Sequence, residues 1–319
     1  MRRISVAQLF DAQRDRLQLK HVSGRLDAQL AVSDESIWGA DLVGHLNLIH
    51  PTRLQILGTA ELAWARRQPD DKVTHHLTEI LSARPPAIIV ADGCEPPPSV
   101  LAACQSRDVA LLTTPQASAS VIDHLRLFLS RKLAERISLH GVFMDVLGVG
   151  VLITGDSGAG KSELALELIS RGHGLVADDV VEFARIGPNV LEGRCPEMLQ
   201  DFIEVRGLGI LNIRTVFGET ACRRKMRLRL VAHLERRQPG TNDPLRLPMQ
   251  QERQSILGVP VQRVVLPVAA GRNLAVLLET AVRAAILQLR GIDSTQDFIE
   301  RQTRALEHGA DRGDGDVGD

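Results

Sequence analysis

One octapeptide constrains this chain more than any other feature. Residues 155–162 read Gly-Asp-Ser-Gly-Ala-Gly-Lys-Ser and match the pattern G-x-x-x-x-G-K-[ST]. Glycines let a backbone curl until successive amide N–H groups point at one phosphate, and a following helix adds its positive N-terminal end. In this pattern the lysine contacts the β- and γ-phosphates and the serine hydroxyl ligates Mg²⁺. We term residues 155–162 the glycine-rich loop, and it predicts a nucleoside triphosphate site. The residues expected to bind the phosphates are Gly155, Asp156, Ser157, Gly158, Ala159, Gly160, Lys161 and Ser162.

The sequence on either side of the glycine-rich loop separates a phosphate site from a chance glycine-rich turn. The apolar run 146–154 precedes the loop and predicts a strand. A helix is expected after it, with Leu164, Leu168 and Ile169 on one face and Gly172 as its C-cap. Because a strand, the loop and a helix in this order form the required context, the flanks favour a phosphate site.

Two adjacent carboxylates, Asp178 and Asp179, follow the next predicted strand, residues 175–177. Since the carboxyl ends of parallel strands line the ligand crevice, both carboxylates are expected to face the γ-phosphate. One can accept a proton from an attacking hydroxyl while the other helps to hold a metal, and the residues alone leave open which does which. The alternative to a catalytic role is that Asp178 and Asp179 are solvent-exposed and simply begin a turn. The absence of a longer apolar strand ending in Asp-Glu favours transfer to an acceptor over an ATP-hydrolysing motor.

Charged residues also interrupt the apolar segment 203–212. Burial of an unpaired charge is costly, so a buried Glu204 and Arg206 would need a reason. In one interpretation Glu204 is a metal ligand and Arg206 binds a phosphate or a carboxylate. In the other, the two side chains form a structural ion pair with each other. His140 precedes the second half of the chain, and taken alone it is an ordinary surface or capping histidine.

Composition sets aside several classes of protein. The 319 residues carry a formal net charge of −1 and contain no Tyr, so the basic excess and stacking platforms typical of nucleic-acid binding are missing. The arginine-rich stretch 223–237 is therefore interpreted as an alternating strand with its charged face in water. The four cysteines form no C-x-x-C pair, and no apolar run approaches the roughly 20 residues of a membrane span. Without a signal-peptide pattern at its start, the chain is expected to be cytoplasmic.

The chain reads as two α/β domains and a tail. In the first, a strand at 87–91, a helix at 98–107 and a strand at 109–113 predict a βαβ unit with a parallel sheet. One helix at 118–138 is expected to link the halves, and the second half adds strands at 227–231 and 264–268 and a helix at 273–289. The predicted limits are 1–130 for an N-terminal α/β domain of unassigned role, 131–308 for the catalytic domain and 309–319 for a disordered acidic tail.

Four blocks together resemble a known family. They are the glycine-rich loop, residues 171–179, residues 203–212 with the core Glu-Val-Arg-Gly-Leu-Gly, and residues 267–275. The sequence looks like the HPr kinase/phosphorylase family, bacterial enzymes that phosphorylate a serine of the phosphocarrier protein HPr and also run the reverse phosphorolysis.

The resemblance implies a C-terminal P-loop kinase domain similar to the nucleotide-binding part of phosphoenolpyruvate carboxykinase. It also implies ATP or pyrophosphate as the phosphoryl donor, HPr as the partner and a homo-hexamer. By matching motif positions, the family's catalytic residues fall on His140, Lys161, Asp179 and Arg246, and its Mg²⁺ ligands on Ser162 and Glu204. The stretch 267–273 is implied in the reverse reaction.

Two rival functions remain open at the level of sequence. A small-molecule kinase would use the same glycine-rich loop, and phosphotransfer to HPr against a panel of metabolites separates the two. A nucleotide-dependent regulatory or nucleic-acid-binding module would show strong salt-dependent binding to DNA or RNA. We expect neither a nucleic-acid nor a membrane partner.

Overall fold

A computed structural model of the chain describes residues 2–32, 38–236, 252–269 and 271–310. It divides into two compact units, residues 1–135 and 136–319. The strands and helices of the first unit are β1 (Arg2–Ser5), α1 (Val6–Leu17), β2 (Lys20–Ser23), β3 (Gln29–Val32), β4 (Val43–His45), β5 (Leu54–Leu57), α2 (Thr59–Ala65), α3 (Asp70–Ser82), β6 (Ala87–Val90), α4 (Pro98–Arg107), β7 (Ala110–Thr113) and α5 (Ser118–Lys132).

The first unit is built on a five-stranded sheet in the order β2-β7-β6-β5-β4. Strands β4 to β7 are parallel to one another, and only β2 at the edge is antiparallel. The predicted βαβ unit with a parallel sheet is confirmed by β6, α4 and β7. Strand β6 is fully buried because its residues face two cores in alternation, Ala87 and Ile89 on one side and Ile88 and Val90 on the other.

The single helix expected over 118–138 is wrong. Helix α5 ends at Lys132, and Leu133 leaves the helical conformation at φ −99° and ψ 12°. The apolar positions Val121, Leu125 and Leu129 are buried as the helical period requires. The residues that follow form strand β8 (Glu135–His140), which pairs with a neighbouring strand of the second sheet. Tertiary pairing overrides helix propensity here.

The remaining strands and helices belong to the second unit. They are β9 (Val142–Val146), β10 (Val149–Gly155), α6 (Lys161–Ser170), β11 (Gly174–Ala177), β12 (Val180–Gly187), β13 (Val190–Arg194), β14 (Phe202–Val205), β15 (Gly209–Asn212), α7 (Ile213–Phe217), β16 (Lys225–Arg236), β17 (Glu252–Ile256), β18 (Val259–Val268), α8 (Leu274–Leu289) and α9 (Ser294–Ala310).

A nine-stranded mixed sheet organises the second unit. Its order is β11-β9-β10-β16-β13-β12-β8, with β18 also pairing β16 and β17 pairing β18. Strands β10, β16 and β18 are parallel. Strand β9 lies antiparallel between β10 and β11, so β11 runs in the same direction as β10. The carboxyl ends of β10, β11, β16 and β18 therefore lie along one edge of the sheet, together with the amino end of β9.

The predicted strand 146–154 is in fact a hairpin. The apolar run begins earlier, in β9, and breaks at Leu147 and Gly148, whose φ angles are +55° and +82°. Positive φ at two successive residues makes a turn whose twist matches a tight antiparallel hairpin. The Gly148 N–H donates to Asp145 Oδ1 at 2.9 Å, which fixes the turn. The break leaves β10 directed into the glycine-rich loop.

Helices α6 and α8 pack together against one face of the large sheet. In α6, Leu164, Leu168 and Ile169 are buried as predicted, and Gly172 follows the helix with φ +92°. Helix α8 begins after Asn273, whose side chain accepts a hydrogen bond from an amide of the first turn. Helix α9 ends at Ala310, and residues 311–319 of the expected tail lie outside the described residues. Over the part of the chain that the structure describes, no helix combines the length and the apolar character of a membrane span.

Candidate active site

The shared edge of the large sheet brings together several segments that the sequence singled out. Val142 at the start of β9 lies opposite Ile153 near the end of β10, and Ala177 at the end of β11 lies opposite Phe143. The glycine-rich loop, the carboxylate pair and His140 are therefore neighbours. The glycine-rich loop, the carboxylate pair and residues 204–209 surround a cleft of about 440 Å³. The cleft is lined by Ser157, Gly158, Gly160, Lys161, Ser162, Glu163, Asp178, Asp179, Glu204, Val205, Arg206, Gly207 and Gly209.

The glycine-rich loop connects β10 to α6, as the flanking sequence predicted. Gly155 has φ +146°, and a Cβ atom there would lie 2.6 Å from the carbonyl oxygen of Leu234 on β16. Gly158 has φ +73° at the crown of the loop. A side chain at either position would strain the backbone, and at Gly155 it would also push β10 away from β16. These constraints explain why the loop needs glycine at its first and fourth positions.

Lys161 begins α6 and folds back over the loop. Its Nζ atom donates hydrogen bonds to the carbonyl oxygens of Gly155 and Asp156, both at 3.0 Å. The ammonium group is thereby held above the curl of the backbone. A point charge in that position contacts the outer phosphates of a bound triphosphate.

Asp178 is a buried carboxylate beneath the cleft, with an exposed fraction of 7%. Its Oδ1 accepts a hydrogen bond from the Ser162 hydroxyl at 3.2 Å, and its Oδ2 accepts one from the Glu204 backbone N–H at 2.9 Å. Burial raises the pKa of Asp178, while these two donors and the Asp179 N–H oppose that rise. Asp178 thus joins three parts of the site: the first turn of α6, the end of β11 and strand β14.

Asp179 differs from Asp178 in its exposure, its backbone conformation and its contacts. Its side chain is 76% exposed, and its backbone adopts φ +63°, a left-handed conformation that is uncommon outside glycine. Its Oδ1 atom lies 3.5 Å from Nδ1 of His140, whose side chain is 84% exposed. The Asp179 carbonyl accepts a hydrogen bond from the Gly141 N–H at 3.0 Å, which ties the pair to the start of β9. An exposed carboxylate held at a strained position is well placed to exchange a proton with a substrate.

Glu204 and Arg206 are not buried, contrary to the expectation from sequence. They alternate along the chain with the buried residues Ile203 and Val205, so both point away from the core. Neither side chain makes an ion pair or a hydrogen bond to another side chain within the described residues. The structural Glu–Arg pair is therefore not formed in that part of the chain. Both residues line the cleft, where a cation or a phosphate would meet them.

Arg246, which the resemblance assigned to catalysis, lies outside the described residues. Within the stretch 267–273, the described residues Val268, Arg272 and Asn273 lie beside the glycine-rich loop, and Val268 on β18 is in register with Arg236 on β16. A second cleft of about 500 Å³ lies there, between the start of α6 and the start of α8. Arg272 and Asn273 line it together with Glu163 and Glu167.

Sequence reasoning missed the end of strand β16. His233 lies opposite Thr154 on β10, and its Nδ1 is 3.0 Å from the Thr154 hydroxyl. Arg236, the last residue of the strand, donates a hydrogen bond from Nη2 to the carbonyl oxygen of Gly158. The alternation predicted for 227–231 holds from Arg227 to Leu230 and breaks at Val231, which is buried like Leu230 before it. The sequence pattern did not reveal that β16 pairs directly with the strand that enters the loop.

A metal ion in this cleft would need few protein ligands. No group of three or more His, Cys, Asp or Glu side chains within 2–32, 38–236, 252–269 and 271–310 is arranged to hold one. Mg²⁺ bound to a nucleotide keeps several waters and uses only one or two protein oxygens besides the phosphates. Ser162 fits this role, because its hydroxyl proton is directed to Asp178 and its lone pairs remain free. The exposed carboxylate of Glu204 on the same cleft offers oxygen atoms of the kind that Mg²⁺ prefers.

A cluster of charged residues below the cleft joins α8 to the end of α6. Glu279 accepts hydrogen bonds from Nε and Nη2 of Arg171, both at 3.0 Å, and its Oε1 lies 2.9 Å from Nε2 of the buried His173. Hydrogen bonds from Arg171 and His173 hold the pKa of Glu279 down to about 2. The cluster fixes the start of β11, and hence the carboxylates that follow it, against α8.

Known protein families and proteins are similar to this chain over nearly its whole length. The family described as HPr serine kinase C-terminal domain matches residues 131–302, and that described as HPr serine kinase N terminus matches residues 4–129. An HPr kinase/phosphorylase from Aromatoleum aromaticum is 73% identical over 96% of this chain and 98% of its own length. Another from an Azoarcus species is 75% identical over 99% of each chain. The solved structure of the HPr(Ser) kinase/phosphatase from Coxiella burnetii is 36% identical and covers 51% of this chain and 98% of its own, with a TM-score of 0.45.

Proposed function

The chain belongs to the HPr serine kinase family, and from this premise we propose that it phosphorylates a serine of the phosphocarrier protein HPr and removes the same phosphate by phosphorolysis. It is a serine kinase/phosphorylase that takes its phosphoryl group from a nucleotide. The observation that carries the proposal is the identity of 73–75% to HPr kinase/phosphorylases over nearly the whole chain. The cleft provides the parts that this chemistry needs, namely a phosphate-binding loop, a lysine and an exposed carboxylate.

In the kinase direction, Asp179 accepts the proton of the acceptor serine as its oxygen attacks the γ-phosphorus. The new bond joins the serine oxygen to phosphorus, and the bond from phosphorus to the β-bridging oxygen breaks. Lys161 and the amide groups of the glycine-rich loop stabilise the charge that spreads over the transferring group. His140, 3.5 Å from Asp179, orients that carboxylate and adds positive charge when it is protonated.

In the phosphorolysis direction, an oxygen of inorganic phosphate attacks the phosphorus of phosphoserine. The bond between phosphorus and the serine oxygen breaks, and protonated Asp179 gives its proton to that oxygen. The products are serine and pyrophosphate. The same cleft serves both directions because all of the contacts it makes are to phosphoryl oxygens that the two reactions share. Pyrophosphate as an alternative donor follows from the reversal of this step.

The proposal includes an Mg²⁺ ion, which Ser162 and Glu204 would hold as its protein ligands. When bound, the ion neutralises charge on the outer phosphate oxygens. The hydrogen bond from Ser162 to Asp178 and the unpaired carboxylate of Glu204 support this assignment.

Other parts of the proposal rest on the family resemblance and on sequence. We propose a P-loop fold like the nucleotide-binding part of phosphoenolpyruvate carboxykinase for residues 131–308, a cytoplasmic location and a homo-hexamer. The strand, loop and helix at 149–170 support the proposed P-loop fold. Exposed apolar side chains on the second unit, such as Met198 (92%) and Ile210 (72%), provide area for self-association. Light scattering of the purified protein tests the hexamer.

Phosphotransfer to purified HPr tests the function directly. The wild-type protein, incubated with Mg²⁺ and labelled ATP, should label a serine of HPr, and excess inorganic phosphate should remove the label. Lys161→Ala should lose at least about 10²-fold in both directions, because it removes a preorganised donor to the transferring group. The matched control is Lys225→Ala, since the side chain of Lys225 is 43% exposed and lies at the start of β16, away from the glycine-rich loop at its other end. Absence of labelling by the wild-type protein, or near-normal activity of Lys161→Ala, overturns the proposal.

A further inference from the structure

Two arginines from different elements converge on the crown of the glycine-rich loop. Arg206 follows β14 in the turn to β15, and Arg236 is the last residue of β16. Both Nη atoms of Arg206 and Nη2 of Arg236 lie 3.3 Å from the position that a Cβ atom at Gly158 would occupy. Arg236 also donates a hydrogen bond from Nη2 to the Gly158 carbonyl. The two guanidinium groups are therefore within about 6.6 Å of each other across one residue of the loop.

Their charges are not balanced by protein carboxylates. Within the described part of the chain, neither Arg206 nor Arg236 forms an ion pair, and two like charges at this distance repel each other. Four carboxylates line the same cleft. Asp178 accepts hydrogen bonds from Ser162 and a backbone amide, and Asp179 lies beside His140. Glu163 and Glu204 form no ion pair with either arginine within the described residues. With Lys161, three cationic groups thus surround the loop. An arrangement of this kind favours a bound anion.

The geometry of the guanidinium group indicates that the bound anion is a phosphate or a phosphoryl group. Arginine presents its donors as a planar fork that matches phosphate oxygens in pairs, which a lysine does not. Gly158, at φ +73°, lies in the glycine-rich loop, and the backbone amides of a loop of this kind form an anion-binding concavity. Guanidinium groups on either side of that residue would meet the outermost phosphoryl group. Arginines supplied in this position to phosphoryl-transfer enzymes stabilise the charge of the transition state.

We propose that Arg206 and Arg236 form a two-arginine site that binds the transferring phosphoryl group, or inorganic phosphate, above Gly158. The inference rests on the proposed function, since it assigns a role within the same cleft. The site serves both directions, because the terminal phosphoryl group and the attacking phosphate occupy the same place. It also explains the lack of a side chain at position 158, where a Cβ atom would contact both arginines.

The experiment compares three single variants of the full-length protein in both directions. Arg206→Ala and Arg236→Ala each remove one guanidinium group from the crown. Arg229→Ala is the matched control, because Arg229 is an exposed arginine of the same strand, seven residues before Arg236 and away from the loop. Turnover and KM are measured for HPr with ATP, and for phosphorylated HPr with inorganic phosphate. Far-UV circular dichroism checks that each variant folds.

We expect Arg206→Ala and Arg236→Ala each to lower turnover by at least about tenfold in both directions, in line with the larger effects of single catalytic arginines. The KM for inorganic phosphate should rise as well, while the KM for HPr should change little. The double variant should lose less than the product of the two single effects, because both groups bind one dianion. Added guanidinium ion should restore part of the activity of Arg236→Ala and none of the activity of Lys161→Ala. Arg229→Ala should stay within about twofold of wild type, as an exposed residue remote from the site does.

Two results would overturn the two-arginine site while leaving the proposed function intact. One is a wild-type protein that is active on HPr together with crown variants no worse than Arg229→Ala. The other is a loss of activity in Arg236→Ala that accompanies unfolding, combined with full activity in the gentler Arg236→Gln. If the wild-type protein itself does not act on HPr, the proposed function fails instead, and the two failures are thus distinguished.

Discussion

The hydroxyl of Ser162 donates a hydrogen bond to Oδ1 of Asp178, 3.2 Å away, and ties the first turn after the glycine-rich loop to the end of β11. The buried carboxylate holds this hydroxyl and the amide of Glu204 at once, so its oxygens are already engaged. Its neighbour Asp179 is exposed beside His140. We therefore propose that the adjacent acids have different roles: Asp178 positions the residues around the cleft, and Asp179 exchanges a proton with the substrate.

Asp179→Asn tests this division of roles. The substitution keeps the size of the side chain and removes the proton acceptor, so kinase turnover should fall by about 10²- to 10⁴-fold. Nucleotide affinity should stay within a few-fold, because Lys161 and the loop amides still bind the phosphates. Phosphorolysis should fall too, since an amide is a poor proton donor to the leaving serine oxygen. The measurement is single-turnover phosphotransfer in both directions with nucleotide titrations on the same preparations.

Asp178→Asn is the control for that experiment. It should cost less turnover, because the Ser162 hydroxyl can reverse its hydrogen bond to meet an amide, and Glu204 can keep its acceptor. If Asp178→Asn is the more damaging change, the two roles are exchanged. If neither variant loses about tenfold, acid–base catalysis is not the mechanism, and the rate depends on positioning and charge.

The features of the site that the sequence predicted are those that depend only on residues close together in the chain. The glycine-rich loop, α6 and the acid pair after β11 are local patterns, and the structure places them as expected. Strand β9, whose apolar run was merged into β10, shows the limit. Only the turn at Leu147 and Gly148 separates the two strands, and a leucine at positive φ gives no compositional warning.

The features that the sequence did not predict depend on pairing between strands that are far apart in the chain. The exposure of Glu204 and Arg206 depends on strand β14 having one covered face, which an apolar segment does not specify. Likewise, Arg236 reaches Gly158 only because β16 pairs in parallel with β10, and register over more than seventy residues of chain cannot be read from a local pattern. The end of α5 at Lys132 is set in the same way by the pairing of β8.

Glu204→Gln should raise the Mg²⁺ concentration needed for half-maximal kinase activity. A neutral amide is a poorer ligand for a hard cation, and the exposed side chain has no structural partner in the described residues to lose. Titration of activity against Mg²⁺ measures the shift, and the midpoint of thermal unfolding should be unchanged. Glu95→Gln, at an exposed position of the first unit, controls for the loss of one surface charge. An unaltered Mg²⁺ requirement in a destabilised protein would instead make Glu204 a structural residue.

Arg272→Ala should impair phosphorolysis more than kinase activity. Arg272 is exposed beside the glycine-rich loop, at the start of α8, in the stretch that the family resemblance links to the reverse reaction. Rates in both directions at saturating substrates provide the comparison. Arg290→Ala, at the far end of α8, is the matched control. Equal losses in the two directions would indicate a general structural role for the start of the helix.

Glu279→Gln should remove a component of stability that depends on pH. In the folded protein the pKa of Glu279 is about 2, below its ordinary value of 4.5, because Arg171 and His173 donate to the carboxylate. A lowered folded-state pKa means that the ionised group stabilises the protein fully above about 4.5 and loses this effect as the pH falls toward 2. The wild-type free energy of unfolding should therefore decline across that window, and the variant should lack this part of the decline.

At pH 7 the same variant should be less stable by about 1.5–3 kcal/mol, the range for hydrogen bonds to a charged group. Both tryptophans, Trp38 and Trp64, belong to the first unit, so their fluorescence does not report on this cluster. Hydrogen exchange in β11 and α8 is the suitable measurement, because the cluster joins those two elements. Glu300→Gln is the control: its pair with Arg304 lies on the exposed face of α9 and contributes little. Equal effects of the two variants, or a pH profile of Glu279→Gln identical to wild type, would show that the cluster does not stabilise the second unit through its charge.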